Sequence, residues 1–146
     1  MTSRADSLRQ LEREVGVLIR RIKRVIGERA HAVHEDLQPA SYLMLTWLAD
    51  EGPVRATSMV DQFHIDKGAI SRQLAHLDDL GLVVRTPDPD DGRATLVAAS
   101  DEARRRLADV TEHRRKWLDE QLGDWSAEEL TNFAVTLERY NRALNT

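Results

Sequence analysis

The chain has 146 residues, enough for one compact domain with helical extensions but too few for two independent hydrophobic cores. It contains no cysteine, which excludes a disulfide framework, a thiolate zinc site and sensing by thiol oxidation, and its formal net charge of −4 argues against a nonspecific nucleic-acid coating protein. Charges run through the first thirty residues and no apolar stretch approaches about eighteen residues, so we expect a soluble, cytoplasmic protein without a membrane partner.

The first predicted element is a long amphipathic helix over residues 8–33. Its apolar residues recur at steps of three and four from Leu8 to Val33. Further apolar residues at Val17, Ile19 and Val25 widen the stripe, so we expect this helix to contact two partners. Residues 4–29 hold eight basic against four acidic side chains, a composition that solvated helix faces also show.

Three shorter helices are predicted next. Pro39 fits the first turn of a second helix, which ends at the glycine and proline of DEGPV, residues 50–54. A short helix from Ala56 to Phe63 precedes another, for which Asp66 is the predicted N-cap and Gly81 the predicted stop. One face of that last helix is apolar, with Ile70, Leu74, Leu77 and Leu80. The opposite face is small and polar, with Lys67, Gly68, Ser71, Arg72, Ala75 and Asp79.

A β-hairpin and two further helices complete the chain. The β-prone runs LVVRT (82–86) and RATLV (93–97) flank PDPDDG, whose composition specifies a turn longer than two residues. Ser100 predicts the start of a long helix, and Ser126 with Glu129 forms a capping box for the last one. These two helices carry more apolar side chains than a small head can cover, which favours a homodimer over a monomeric helical core. The apolar residues are Trp117, Leu118, Leu122, Trp125, Phe133, Leu137, Tyr140 and Leu144.

The two helices on either side of residues 64–66 have the features of a helix-turn-helix, and the hairpin after them makes it a winged one. Gly68, Ser71 and Ala75 lack bulk, which allows close approach to base edges in the major groove. Donors to the bases are expected from Lys67, Arg72 and Gln73. Arg55 and Ser58 are candidates for phosphate anchoring or, equally, for helix capping, and Arg85 is a further candidate contact.

The order of elements and the segment DKGAISRQLAHLDDLGLVVRTPDPDDGRATLV, residues 66–97, resemble the MarR family of bacterial transcriptional regulators. The specific matches are Ser71-Arg72, Leu77, residues 80–83, Asp88-Pro89 and Asp91-Gly92-Arg93. The resemblance extends over essentially the whole chain. It implies a mainly α fold with a small β-hairpin wing, in which residues 37–99 form the winged helix-turn-helix head and residues 1–36 and 100–146 form a helical dimerisation region.

The resemblance also implies a function. Members of this family are homodimers that bind a pseudopalindromic operator in double-stranded DNA, and many release it when a small, often aromatic, molecule binds. We therefore expect a ligand-responsive repressor that needs no cofactor. The effector crevice of the family suggests five wall residues here, each of which can also be an ordinary core residue: Arg20, His34, Tyr42, Met44 and Trp47. The chain departs from the family pattern at His64, where a turn glycine is common, and at Ala99, Ser100 and Ala103.

The acidic hairpin tip contains a single arginine. We predict that Arg93 enters the minor groove, since narrowed A·T tracts attract arginine, and that Asp91 holds its guanidinium by a charge-assisted hydrogen bond. Asp88 and Asp90 are expected to cap the turn and to lower indiscriminate phosphate affinity. The alternative is a solvent-exposed hairpin whose aspartates only form the turn.

Three other functional classes are alternatives to this prediction. His31 and His34 share a helix face and allow a metal-responsive regulator, with Glu28, Glu35 or His113 completing the site, although HAVHE matches neither HExxH nor HxxEH. The sequence has no GxSxG, no phosphate-binding glycine loop and no Cys-His pair, so an enzyme is not expected. A winged-helix module that binds proteins rather than DNA stays open because the net charge is acidic.

Overall fold

A computed structural model describes residues 1–145, which fall into two compact units, residues 1–110 and the segment from Thr111 onward. Six helices and three strands form in the described residues. In chain order they are α1 (Arg4–Val33), α2 (Pro39–Glu51), β1 (Val54–Arg55), α3 (Ala56–Phe63), α4 (Lys67–Asp79), β2 (Val83–Pro87), β3 (Thr95–Ala99), α5 (Asp101–Gln121) and α6 (Ala127–Ala143). The mainly helical fold with a small antiparallel sheet confirms the predicted fold class.

The helix starts follow from local capping chemistry. Ser3 and Asp6 form a capping box at α1, in which the Ser3 hydroxyl accepts from the Asp6 backbone N–H at 3.1 Å. Pro39 occupies the first turn of α2. Backbone N–H groups of a first turn have no intrahelical acceptor, so the N–H that proline lacks costs the helix no hydrogen bond. Ser126 and Glu129 form the predicted capping box at α6, with both hydrogen bonds at 3.1 Å.

The hydrophobic core of the first unit lies among α2, α3, α4 and the sheet. Its largest fully buried side chains are Met44, Leu45, Leu48, Met59, Ile70, Leu74, Leu77 and Leu82. Burying an aliphatic side chain of this size stabilises a fold by about 1.5–3 kcal/mol. This core therefore fixes α4 on its buried side and leaves the opposite side free.

The sheet has the strand order β1-β3-β2, and both pairings are antiparallel. Strand β1 was not predicted, because a two-residue strand carries no periodicity in the sequence. Strand β3 begins at Thr95 rather than at Arg93, so the predicted strand RATLV is wrong at its first two residues. These residues lie in the turn instead, where the Asp88 N–H donates to the Ala94 carbonyl at 2.9 Å and the Ala94 N–H to the Asp91 carbonyl at 2.9 Å.

Two backbone positions set the ends of α4. His64, in the turn that precedes α4, has the left-handed backbone of φ 53° and ψ 35°, which histidine tolerates better than most residues. Asp66 is the N-cap, and its carboxylate accepts from the Ala69 N–H at 2.7 Å. Gly81 follows the helix with φ 70°, which confirms it as the stop.

The start of α5 is tied to the ends of three other helices of the first unit. The Ser100 hydroxyl accepts from the Ala103 N–H at 3.1 Å, as predicted for a cap, and donates to the Gly81 carbonyl at 2.9 Å. Arg104 donates to the Ala49 carbonyl of α2 and Arg106 to the Val33 carbonyl of α1, each at 3.0 Å. Since helix ends leave carbonyls without intrahelical partners, these arginines satisfy groups that otherwise need water.

The second unit contains the remainder of α5 and the helix α6. Trp125 and Phe133 pack edge to face there, with ring centroids 6.0 Å apart. No described residue beyond Val110 is buried, and large apolar side chains stay exposed: Trp117, Leu118, Trp125, Leu130, Phe133, Val135, Leu137 and Leu144. None of the helices in residues 1–145 has the length and apolar character that crossing a membrane requires.

Candidate nucleic-acid interface

The outer face of α4 has the composition that the sequence predicted. Lys67, Gly68, Ser71, Arg72 and Ala75 are exposed, whereas Ile70, Leu74 and Leu77 on the other side are at most 1% exposed. This outer face is therefore a strip of small side chains with two cations near its start.

Gly68 lies between the cap and one of these cations. A Cβ at this position would lie 3.2 Å from the Asp66 carboxylate and 3.4 Å from a terminal guanidinium nitrogen of Arg72. The Arg72 guanidinium thus extends along the first turn of α4, beside the free N–H groups of the helix start. A cation and a helix N-terminus come together at this place, and the Asp66 carboxylate already accepts from one of its N–H groups.

Gln73 lies at the edge of the buried side of α4. Its side chain is partly buried and its amide oxygen accepts a hydrogen bond from the fully buried hydroxyl of Ser41 on α2. Its amide oxygen is thus engaged within the chain, whereas its role as a donor to the bases stays a prediction. The physical reason for this contact is its place beside Leu74, at the edge of the buried face, where it satisfies a hydroxyl that has no access to water.

Arg55 departs from one of its two predicted roles, that of a helix cap, whereas phosphate anchoring stays a prediction. It occupies the N-cap position of α3, but its side chain makes no capping hydrogen bond. Its guanidinium instead contacts a single carboxylate oxygen of Asp88, through Nε at 2.7 Å and a terminal nitrogen at 2.6 Å. Ser58 is exposed in α3, beyond the cap position, and remains a candidate contact.

The Arg55–Asp88 ion pair shifts the pKa of both side chains. The pKa of Asp88 lies below its ordinary value because the carboxylate accepts from the Asp90 backbone N–H and from the Arg55 guanidinium. The same hydrogen bond with Asp88 raises the pKa of Arg55. Both groups therefore stay charged at neutral pH, and the pair persists.

The hairpin tip presents Arg93 to solvent. Its backbone N–H donates to the Asp91 carboxylate at 3.1 Å, but within residues 1–145 its guanidinium forms no ion pair with Asp91. Asp91 thus orders the backbone of Arg93 and not its guanidinium, which corrects the predicted contact. Asp88 caps the turn as predicted, because its carboxylate accepts from the Asp90 N–H at 2.9 Å.

A second ion pair connects the hairpin to α4. Arg85 on β2 contacts Asp78 near the end of α4, with Nε and a carboxylate oxygen 2.7 Å apart. Arg55 and Arg85 are thus committed to carboxylates of the chain itself. By contrast, no ion pair within the described part of the chain involves Lys67, Arg72 or Arg93.

The predicted effector wall is mainly core. Tyr42 and Met44 belong to the buried cluster, and Trp47 packs edge to face against Phe63 with centroids 5.7 Å apart. His34 is half-buried and Arg20 is exposed on α1.

The metal alternative finds no support in this geometry. The Nδ1 atom of His34 accepts from the Asp36 N–H at 3.0 Å. Across residues 1–145, no three side chains among histidine, aspartate and glutamate are grouped so as to hold a metal ion.

Comparison with known proteins agrees with this architecture. A family model described as the MarR family matches residues 35–94, which run from just before α2 to the end of the turn between β2 and β3. The chain is 31% identical over 133 residues to the helix-turn-helix-type transcriptional regulator YxaD of Bacillus subtilis, a match that covers 91% of this chain and 92% of YxaD. The chain belongs to the MarR family of transcriptional regulators.

Solved structures show the same MarR fold. RV1404 from Mycobacterium tuberculosis is 20% identical, with a TM-score of 0.78 over 94% of this chain and 93% of its own. A putative MarR family transcriptional regulator from Listeria monocytogenes, solved in complex with a 26mer DNA, is 14% identical, with a TM-score of 0.70 over 90% of this chain and 87% of its own. At these identities the likeness concerns the fold alone.

Proposed function

We propose that this MarR-family protein is a sequence-specific DNA-binding repressor that acts as a homodimer on a pseudopalindromic operator. The observation that carries the proposal is the outer face of α4, where small residues and the cations Lys67 and Arg72 are exposed directly after a tight turn. A helix with this face enters the major groove closely enough for its donors to reach base edges. The Listeria relative in complex with DNA supports the same partner for this chain.

A dimer follows from the charge of the head. Residues 55–93 contain five basic and seven acidic side chains, and two of the five bases are paired within the chain. One head alone therefore has little net attraction for phosphates, and two heads must act together. Their α4 helices would lie about 34 Å apart, the distance between successive major grooves on one side of the duplex.

The residues that hold the dimer are proposed to lie in segments 1–36 and 100–146. Exposed apolar side chains are frequent in both segments, with Leu8, Leu11 and Ile22 in the first and Trp117 and Phe133 in the second. Frequent exposed apolar side chains of this kind favour an interface on each segment. A sedimentation experiment that finds a monomer at all concentrations would contradict this part of the proposal.

We further propose that a small aromatic effector releases the protein from its operator. The candidate contacts of the effector are Arg20, His34, Tyr42, Met44 and Trp47. Because Tyr42 and Met44 are already buried, an effector in contact with them must displace core packing between α2 and its neighbours. Release of the operator through such a rearrangement is consistent with the Ser41–Gln73 hydrogen bond, which links α2 directly to α4.

The experiment is a fluorescence-anisotropy titration with duplexes tiled across the DNA around the protein's own gene. We expect one duplex to bind far more tightly than the rest at moderate salt, and Arg72→Ala to weaken that binding by about tenfold or more. Arg105→Ala, once sedimentation shows that it assembles as the wild type does, is the matched control, since it removes an exposed arginine outside α4 and should leave binding unchanged. Equal, weak retention of every duplex would refute the proposal and favour a protein-interaction module.

A further inference from the structure

The residue at the start of α3 is unusual for its position. An N-cap is normally Ser, Thr, Asp or Asn, whose short side chain accepts from a free N–H of the first turn. Arg55 cannot accept such a hydrogen bond, and in this structure it makes no capping contact. The arginine must therefore serve something other than the start of its own helix.

The partner of Arg55 is the buried carboxylate of Asp88. Asp88 is only 7% exposed, and both of its carboxylate oxygens are used: one accepts from Arg55 and the other from the Asp90 N–H at 2.9 Å. The Asp88 N–H in turn donates to the Ala94 carbonyl, which closes the loop at the hairpin tip. A carboxylate buried to this degree is unfavourable without a cation, so the loop depends on Arg55 for its conformation.

The sheet topology shows what the pair connects. Arg55 lies on β1 opposite Leu96 of β3, whereas Asp88 directly follows β2 on the other side of β3. The ion pair thus crosses the central strand and joins the first residue before α3 to the base of the loop that carries Arg93. Within that loop, Asp91 accepts from the backbone N–H of Arg93.

We propose that Arg55 is a positioning residue, which fixes the wing loop and with it Arg93 relative to the helix-turn-helix, and that it does not itself bind DNA. The inference rests on the proposed function of the protein. Fixing the loop in advance removes part of the ordering cost that DNA binding otherwise carries, so Arg55 raises operator affinity without touching the operator.

The proposal reverses the usual expectation from charge. Asp88→Asn removes a negative charge from a DNA-binding head, and electrostatic attraction alone predicts tighter binding. Positioning predicts weaker binding, because the neutral side chain no longer holds Arg55. Arg55→Lys keeps the positive charge, but one ammonium nitrogen cannot replace the two nitrogens that contact Asp88, so it should also weaken binding.

The first test measures the loop without DNA, by hydrogen–deuterium exchange of the full-length protein and the variants Arg55→Gln and Asp88→Asn. We expect amides in residues 88–94 to exchange at least about threefold faster than in the wild type, while those of α4 keep their rates and show that the head is folded. Arg105→Gln, which loses an ion pair with Glu102 on α5, should leave the loop unchanged. Unchanged loop exchange in both wing variants would overturn the proposal.

The second test uses operator binding. Arg55→Gln and Asp88→Asn should each weaken binding about tenfold, and neither should weaken it further in a protein that already carries Arg93→Ala, since residues that act as a unit are not additive. Tighter binding by Asp88→Asn, or losses by Arg55→Gln and Arg93→Ala that simply add, would show a direct phosphate contact and overturn positioning. If the wild type itself selects no duplex, the proposed function fails, and the exchange experiment still decides the role of Arg55.

Discussion

Ser100 offers a sharp test of how the head is attached to the long helix that follows it. Its hydroxyl makes two hydrogen bonds, one accepted from the Ala103 N–H at the start of α5 and one donated to the Gly81 carbonyl at the end of α4. The side chain is buried, with 8% exposure. Ser100→Ala removes both contacts and places a methyl group where no water replaces them readily.

The expected loss is the sum of two terms. An N-cap serine replaced by alanine costs about 1 kcal/mol. The second hydrogen bond is worth about 0.5–1.5 kcal/mol, so the total is roughly 2 kcal/mol. Ser3→Ala is the matched control, because Ser3 caps α1 of the same unit but is exposed and contacts only its own first turn, so it should cost no more than about 1 kcal/mol.

Urea unfolding followed by circular dichroism measures both variants. Protein concentration must be held equal, because dimerisation would add to the apparent stability. We expect the midpoint of Ser100→Ala to shift about twice as far as that of Ser3→Ala, with the same denaturant slope. Equal shifts would mean that the contact with Gly81 contributes nothing and that the capping contact is the whole effect.

Three further predictions concern the head. Gly81→Ala should cost about 1 kcal/mol in urea unfolding, because φ is 70° there although a Cβ would meet no atom within 4 Å. Gln73→Ala should cost about 1–3 kcal/mol by leaving the buried Ser41 hydroxyl unpaired, and adding Ser41→Ala should recover part of the loss in the same assay. The pKa of Asp88 is lowered in the folded protein, so its contribution to the free energy of unfolding is complete above the ordinary aspartate pKa and is lost as pH falls through the lowered value. The amide chemical shift of Asp90, measured by NMR during a pH titration, should therefore stay constant from pH 7 to about pH 4.5.

The parts of the fold that sequence reasoning predicted depend on contacts within a few residues. Asp66 and Ser126 cap their helices through N–H groups three residues away, and Gly81 ends α4 through its own backbone conformation. The apolar period places Leu74 on the inner face without any knowledge of its neighbours. Such features depend only on neighbouring residues in the chain, so a single sequence is sufficient to predict them.

The parts that were missed depend on contacts between distant residues. Arg55 and Asp88 are 33 positions apart, and Ser41 and Gln73 are 32 apart. The helical period places Gln73 at the border between two faces, and only the position of α2 decides which face it joins. One signal for Arg55 was present in the sequence, since an arginine at a predicted N-cap position lacks the side-chain acceptor that a cap requires.

The paired arginines change what the charge of the head predicts for binding. If all five basic side chains of residues 55–93 neutralised a phosphate, a dimer would release about ten counterions, and log K would fall with log salt at a slope of about −9. With Arg55 and Arg85 committed to Asp88 and Asp78, only Lys67, Arg72 and Arg93 remain in each subunit, and the slope becomes about −5. Operator titrations between 50 and 200 mM salt separate these values. A slope near −9 would mean that DNA binding breaks both ion pairs. The wing would then change conformation on binding instead of being preorganised for it.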